Sequence, residues 1–395
     1  MNRNVWLLFF CLALMNAVMI GQVAMASLIG HSLAVNPALN TLPMAIQMLG
    51  TMASSIPASM IFARFGRRAG FFMGCAGSIV GCLGFAFGVY QANFVFYCLA
   101  ALPAGLGYGV AQHMRFAAAE IVTPILRPRA IALVMTGPVL AAIIGPEIVK
   151  HTKDLIPGIT FLATYFALIA LPVSAAILLS FTALPPADYH RPPPLPLSEI
   201  LARPTFIVAV VAGMTAFGTM NLLMASAPLE MMLCGYSINQ SSDVIRWHVI
   251  GMYLPGFVTG RLIQRFGTHR MMVIGAALIL GCPAINLAFG PFFATFLASM
   301  MIQGIGWNFM FVGATSLLAT THTMAERVRV QATNDFIVFG TVAITALMSG
   351  VVHATFGWNA LNLTVIPPLL IAAGLVMWHY MSRHRLAQPV SAVAD

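Results

Sequence analysis

The sequence predicts an all-α integral membrane protein with twelve transmembrane helices in two pseudo-symmetric six-helix bundles. Its 395 residues are 60% hydrophobic and only 7% charged, whereas soluble globular domains carry about 25% charged residues. Apolar stretches of roughly 20 residues, long enough to span a bilayer, recur in two sets of six. The Lys and Arg residues cluster between these stretches in a pattern that sets membrane topology.

Each apolar stretch is interpreted as one helix. The first set occupies 5–30, 40–63, 69–90, 93–118, 129–149 and 158–183. The second set occupies 204–235, 245–264, 270–289, 293–321, 332–354 and 359–381. The stretch at 5–30 is too long for the ~7–15-residue core of a signal peptide, so it is assigned as the first transmembrane helix.

The organisation follows from these stretches. We assign 1–183 to an N-terminal bundle, 184–204 to a cytoplasmic proline-rich linker, 205–381 to a C-terminal bundle and 382–395 to a cytoplasmic tail. With the N-terminus inside, 16 of the 19 Lys and Arg residues fall on the cytoplasmic side, and Lys150, Lys153 and Arg246 fall outside. Both termini are therefore expected in the cytoplasm.

Composition also bears on the function class. The net charge of +9 is explained by topology-setting residues, so we expect the lipid bilayer and no nucleic acid as a partner. The six Cys are scattered without a CxxC pair, which indicates neither a disulfide framework nor a zinc site. The sequence contains no recognisable nucleotide-binding loop or hydrolase triad, and we expect no enzyme.

Short motifs recur between the two halves. "MNAVM" at 15–19 corresponds to "MNLLM" at 220–224, "MAIQM" at 44–48 to "HVIGM" at 248–252, and "ARFGRR" at 63–68 to "QRFGTHR" at 264–270. The offsets are 205, 204 and 201 residues. An internal repeat of this length is typical of transporters built from two six-helix halves.

Twelve helices, a central linker and a basic turn after the second and eighth helices resemble the major facilitator superfamily over nearly the whole chain. That family's turn motif has the form G-x-L-x-D-R-x-G-R-R. Here it is matched by Arg64, Gly66, Arg67 and Arg68 in the first half, and by Gly260, Leu262, Arg265 and Gly267 in the second. The acidic position holds Ala63 and Gln264. The arginines can act as positive-inside anchors or as a conformational latch.

A narrower resemblance concerns two predicted helices. One bacterial branch of the superfamily imports copper for cytochrome oxidase assembly, and carries M-x-x-x-M on helix seven and H-x-x-x-M on helix eight. Met220, Met224, His248 and Met252 match this pattern. The resemblance implies a copper importer of the bacterial inner membrane with copper as the transported ion and no permanent cofactor. A cytoplasmic copper chaperone or a copper-exporting ATPase would be its downstream partner.

These ligand types suit the ion. Side chains four residues apart lie on one helix face, and neutral thioethers select Cu(I) over hard cations, while imidazole accepts copper. At 1.5 Å per residue, the order His248, Met252, Met224, Met220 would descend from the outer face toward the midplane. Secondary ligands would come from the symmetry-related Met15, Met19, Met44 and Met48 and from Cys234.

Packing is the alternative explanation for the methionines, because methionine is a common core filler. The chain has 26 Met, for which chance gives about 1.7 M-x-x-x-M pairs by template counting. Five such pairs occur, at 15/19, 44/48, 48/52, 220/224 and 377/381. A single pair is therefore weak evidence, and the metal hypothesis depends on the joint pattern with His248 on the following helix.

Other functions remain open. The same branch contains riboflavin importers, and a flavin site would use aromatic stacking and amide hydrogen bonds from Trp307 and Asn308. A membrane copper sensor without transport is a third alternative. Among acidic residues, Glu147 is the best candidate for proton coupling. Further polar residues near helix ends, where a solvated charge is ordinary, are Arg115, Glu120, His113, Glu230 and Asp335.

Overall fold

A computed structural model describes residues 2–123, 130, 133–184, 197–321 and 327–386. Most of the predicted linker, 185–196, and the end of the predicted tail, 387–395, lie outside the described residues, as do Arg127, Arg129 and Arg191. The described chain is almost entirely helical. In a bilayer this is required, because a helix satisfies its backbone hydrogen bonds within one segment.

The described part of the N-terminal half contains six α-helices and one 3₁₀ turn at Pro37–Leu39. The helices are α1 (Arg3–Leu33), α2 (Leu42–Tyr90), α3 (Phe94–Gln112), α4 (Met114–Glu120), α5 (Pro138–Thr152) and α6 (Leu162–Ser180). Side chains of Asn2 and Asn93 cap the starts of α1 and α3 by accepting backbone N–H bonds, which satisfies donors that a helix leaves unpaired.

In the C-terminal half, the described residues form one short helix followed by seven longer ones. They are α7 (Leu197–Leu201), α8 (Pro204–Leu233), α9 (Ile238–Tyr253), α10 (Gly256–Phe266), α11 (Thr268–Phe289), α12 (Phe293–Leu318), α13 (Arg327–Thr364) and α14 (Ile366–Leu386). A capping box between Ser237 and Gln240 starts α9.

The predicted all-helical membrane fold is confirmed, with differences in how the segments join. Within the described ranges, nine helical stretches are long and apolar enough to cross a membrane, and they overlap ten of the twelve predicted segments. Predicted segments two and three form one element, α2, which is kinked at Gly66. Predicted segment eight is divided at Pro255 into α9 and α10, because proline interrupts a helix.

The repeated turns have the same backbone in both halves. Gly66 has φ 81° and ψ 164°, and Gly267 has φ 86° and ψ 150°, a region that only glycine occupies readily. Arg64 lies 5.3 Å from the ring of Phe65, and Arg265 lies 5.4 Å from the ring of Phe266. By contrast, a side chain at Gly260 would meet nothing within 4 Å, so close packing does not require that glycine.

The turns are fastened differently. Arg67 forms a bidentate ion pair with Glu120 at the end of α4, and Arg68 donates to the Ser180 carbonyl at 2.7 Å. Glu120 therefore supplies the acid that the turn motif lacks. In the second half, Nε2 of His269 on α11 lies 2.8 Å from Nδ1 of His379 on α14. The first turn is thus fastened by an ion pair, and the second by a hydrogen bond and a ring contact between two histidines.

Among the described residues, the two halves meet chiefly along three helix pairs, α1 with α8, α2 with α13, and α5 with α9. We call the end of the bundle where α1 starts the near face and the opposite end the far face. Within the C-terminal half, α8 is tied to α13 by short polar bridges: Asn221 donates to the Val342 carbonyl at 3.1 Å, and Ser349 to the Leu222 carbonyl at 2.5 Å. Such bonds are typical of helix contacts in membranes.

Candidate functional site

A methionine cavity lies between the two halves. It has about 60 Å³ of free space and is lined from both halves by α1, α2 and α3 on one side and α8, α9 and α13 on the other. Six thioethers line it, each less than 10% exposed: Met19, Met44, Met48, Met220, Met224 and Met252. The cavity therefore brings together three of the four predicted metal ligands and three of the five predicted secondary ligands.

The remaining predicted ligands lie elsewhere. His248 is fully buried, and its Nδ1 lies 2.7 Å from the carbonyl oxygen of Met300 on α12. A carbonyl only accepts, so Nδ1 is the donor and Nε2 keeps its lone pair; Nε2 has no hydrogen-bond partner among the described residues. Met15 contacts the Cys75 thiol at 3.9 Å inside the N-terminal half. Cys234 is exposed at the far face, 3.7 Å from a Glu230 oxygen.

The thioethers are not all equally available. The side-chain amide of Gln47 donates to the sulfur of Met19 at 3.0 Å, which occupies one acceptor position of that ligand. No group of three His, Cys, Asp or Glu residues in the described part of the chain could hold a metal ion. Any metal in the methionine cavity would therefore depend on neutral ligands, chiefly the thioethers.

A second cavity, here called the aromatic cavity, adjoins the first toward the near face. It has about 50 Å³ of free space and shares Tyr108, Phe217 and Tyr253 with the methionine cavity. Its own wall includes Trp307 and Phe311, whose rings are stacked at 4.9 Å with an interplanar angle of 12°. The Phe217 ring lies 5.4 Å from the Trp307 ring. These rings provide flat, polarisable surfaces that suit an aromatic solute.

Polar groups line the aromatic cavity at one end. Arg115 from the N-terminal half and Asp335 from the C-terminal half form an ion pair of 3.5 Å. Trp307 Nε1 and Gln112 Nε2 are buried donors without a hydrogen-bond partner among the described residues. Buried donors in native structures normally have partners, so this cavity has unused hydrogen-bonding capacity.

Asn308, the other predicted flavin contact, is already engaged. Its Nδ2 donates to the Met252 carbonyl at 2.6 Å, and its Oδ1 accepts from the Thr259 hydroxyl at 2.6 Å. These bonds bridge the interruption at Pro255 between α9 and α10. The amide therefore stabilises the helix break, and it does not line either cavity.

Ion pairs between the halves close the far face. Glu147 and Lys150 on α5 meet Arg246 and Asp243 on α9. Within each helix, Lys150 lies 4.0 Å from Glu147, and Arg246 lies 3.4 Å from Asp243. Glu147, the predicted coupling residue, is thus one corner of a four-residue far-face cluster. With the Arg115–Asp335 pair toward the near face, both ends of the central space carry a charged contact between halves.

Sequence reasoning missed the roles of Tyr108, Phe217 and Tyr253, and it interpreted Arg115 and Asp335 as solvated charges. The aromatic residues gave no signal, because aromatic side chains are common in lipid-facing helices. The charged pair did give a signal. Arg115 and Asp335 carry opposite charges at the near-face ends of predicted segments four and eleven, one in each half, and charges within membrane segments tend to pair with one another.

Comparisons with known proteins agree with this architecture. A family model described as Major Facilitator Superfamily matches residues 5–243 and 222–394. The chain is 37% identical over 351 residues to the riboflavin transporter RfnT of Brucella anthropi, covering 87% of each chain. It is 26% identical over 383 residues to the uncharacterized MFS-type transporter YdeG of Bacillus subtilis, covering 90% of this chain and 87% of that one.

A solved structure is similar across the whole length. The human organic anion transporter MFSD10 (TETRAN) superposes with a TM-score of 0.71, covering 95% of this chain and 99% of that chain. The sequence identity is 13%, so this similarity concerns the fold alone.

Proposed function

Because this chain belongs to the major facilitator superfamily, we propose that it carries riboflavin or a closely related flavin across a bacterial inner membrane by alternating access. In this proposal both termini are cytoplasmic, the far face is the outer face, and transport is inward. The protein binds no permanent cofactor and performs no chemistry on its solute. The flavin replaces copper, which the methionine and histidine pattern had favoured, as the principal substrate.

The observation that carries the proposal is the wall of the aromatic cavity. Trp307 lies parallel to Phe311 with its indole N–H unpartnered among the described residues, so it offers a ring face together with a hydrogen-bond donor. Stacking of an aromatic base on such a side chain is worth about 1–3 kcal/mol. An isoalloxazine ring is flat, and its carbonyl oxygens can accept from the indole N–H.

The similarity to RfnT supports the same choice, because that relative is named a riboflavin transporter and matches 87% of this chain.

Copper import remains a second candidate because of the methionine cavity. Six thioethers from both halves converge on one space, and soft neutral ligands select Cu(I). A cytoplasmic copper chaperone or a copper-exporting ATPase is a partner of the protein only under this candidate. Against it, His248 binds the Met300 carbonyl instead of lining the cavity.

Uptake measurements separate the two candidates. Cells expressing the chain would be supplied with radiolabelled riboflavin and, separately, with radioactive copper. Under the flavin proposal, Trp307→Leu lowers riboflavin uptake at low substrate by about 5- to 150-fold, the equivalent of 1–3 kcal/mol of stacking. The matched control is Trp378→Leu, since Trp378 is 53% exposed on α14 and should leave uptake unchanged.

The triple variant Met220→Leu, Met224→Leu and Met252→Leu tests copper. Leucine preserves apolar volume but removes the sulfur ligands. If the protein transports copper, copper uptake should be lost in this variant, whereas riboflavin uptake should stay within a few-fold of the wild-type level. Met60→Leu with Met73→Leu is its control, because both side chains are exposed. Copper accumulation without riboflavin accumulation would overturn the flavin proposal.

A further inference from the structure

The two central cavities differ in the kind of side chain that lines them. At one end, the aromatic cavity contains the Arg115–Asp335 ion pair and the unpartnered Gln112 amide donor. At the other end, the methionine cavity has no charged side chain among the described residues of its lining, which consists of thioethers and other apolar groups with the amides of Asn16 and Asn221. Between them lie the shared rings of Tyr108, Phe217 and Tyr253. A solute that crosses the shared rings would have one end among charges and the other among sulfurs.

An isoalloxazine ring has the same asymmetry. One edge is an imide with the order carbonyl, N3–H, carbonyl, which accepts, donates and accepts hydrogen bonds. The opposite edge is a dimethylbenzene without hydrogen-bonding groups. Burying the imide without partners would be costly, whereas the dimethylbenzene edge loses nothing among apolar side chains. Thioethers also adapt their shape and make favourable contacts with aromatic edges.

We propose, on the basis of the flavin function above, that the structure fixes the orientation of the flavin: the imide edge binds at Arg115 and Asp335, and the dimethylbenzene edge enters the methionine cavity. The Asp335 carboxylate accepts the N3–H. Arg115 and Gln112 donate to the flanking carbonyls. This arrangement gives the methionine cavity a role without a metal ion.

The ion pair has the capacity for this. Arg115 Nη2 and Asp335 Oδ2 are 3.5 Å apart, which is too long for a strong hydrogen bond. The other carboxylate oxygen accepts from Asn334 at 3.1 Å. A carboxylate has about four lone-pair sites, so Asp335 can accept a further bond. Because Arg115 and Asp335 belong to different halves, an imide bound between them also holds the halves together.

Equilibrium dialysis with the purified full-length protein in detergent tests the orientation on the wild type. The probes are riboflavin, its N3-methyl derivative, and a derivative enlarged at the 8-methyl position. A bond to a charged acceptor is worth about 1.5–3 kcal/mol, so N3-methylation should weaken binding by about 10- to 150-fold. The 8-substituted derivative should bind within about threefold of riboflavin, because methionine side chains rearrange readily.

A variant assigns the effect to one residue. In Asp335→Ala, riboflavin and the N3-methyl compound should bind with similar affinity, because the acceptor is gone. The control Asp154→Ala removes a carboxylate that is 62% exposed at the far face, and it should keep the wild-type ratio. If Asp335→Ala does not fold, the comparison of the three probes on the wild-type protein still tests the proposed orientation.

The outcomes separate the inference from the function. Equal wild-type binding of riboflavin and its N3-methyl derivative overturns imide recognition, and a larger loss for the 8-substituted derivative overturns the orientation; in both cases the flavin function stands. If riboflavin is neither bound nor taken up above the level of cells without the protein, the proposed function itself fails.

Discussion

Neutralising Asp243 should loosen the far face of the protein. The far-face cluster joins the halves through Lys150 with Asp243 and through Glu147 with Arg246. In Asp243→Asn, Lys150 loses its partner across the interface and keeps only Glu147, at 4.0 Å. The two cations are then less compensated, and the conformation in which the far face is closed becomes less favourable.

The size of the effect depends on how far the paired side chains are exposed to solvent. The side chains of Lys150 and Asp243 are 15% and 35% exposed, so the pair is partly screened by solvent. Exposed pairs contribute about 0.2–1 kcal/mol, and networks somewhat more. We take about 0.5–1.5 kcal/mol for the contribution of the Lys150–Asp243 pair. Losing it corresponds to a roughly two- to thirteenfold larger population of molecules that are open at the far face.

Thiol labelling measures that population. A cysteine introduced as Met224→Cys lies in the methionine cavity, where the native side chain is 6% exposed. Cys234 is exposed and is first replaced by serine, whereas the other five native cysteines are buried. The rate of maleimide labelling of the purified protein should rise two- to thirteenfold on adding Asp243→Asn. High salt should narrow this difference by screening the cluster in the parent protein.

Asp154→Asn is the matched control. It removes a carboxylate from the same face that pairs with Lys153 within one half, and it should not change the labelling rate. The reasoning is refuted if Asp243→Asn leaves the rate unchanged, or if Asp154→Asn raises it equally.

Three further changes test the packing described above. Gly66→Ala places a side chain at φ 81° and should cost about 1–3 kcal/mol, seen as a lower melting temperature in detergent, whereas Gly374→Ala, at a position with open space, should not. Asn308→Leu leaves the Met252 carbonyl and the Thr259 hydroxyl without the amide; melting should show about 1–3 kcal/mol lost per unsatisfied group, while riboflavin affinity measured by dialysis changes little. Glu120→Gln should weaken the ion pair with Arg67 and increase proteolysis near the first turn. Unchanged cleavage would show that the turn is held without this ion pair.

The helices and their order could be predicted because a membrane imposes length and composition on each segment. The turn glycines were also predictable, since Gly66 and Gly267 recur at an offset of 201 residues and share one backbone conformation. What failed was the continuity of predicted segment eight. The helix breaks at Pro255, and hydropathy does not report that break.

The site was only partly predictable for a different reason. In a soluble helix, the apolar stripe shows which side faces the core. In this protein both lipid and core are apolar, so the sequence gives little information on helix rotation. His248 and Met252 are one turn apart on α9, yet Met252 lines the methionine cavity and His248 turns to the Met300 carbonyl on α12. The M-x-x-x-M pattern likewise located thioethers correctly without identifying their role.

The two cavities together are better explained by one solute that contacts both than by a solute that uses only one of them. A soft ion would use the methionine cavity and leave the aromatic cavity, with its stacked Trp307 and unpartnered donors, unexplained. A flat heteroaromatic ring with one polar and one apolar edge uses both, because the shared rings of Tyr108, Phe217 and Tyr253 join the two spaces. The same ring contacts groups from both halves, which is how a bound solute can favour the closed form over either open one. The thioethers then serve as a deformable apolar surface, and their number needs no metal to account for it.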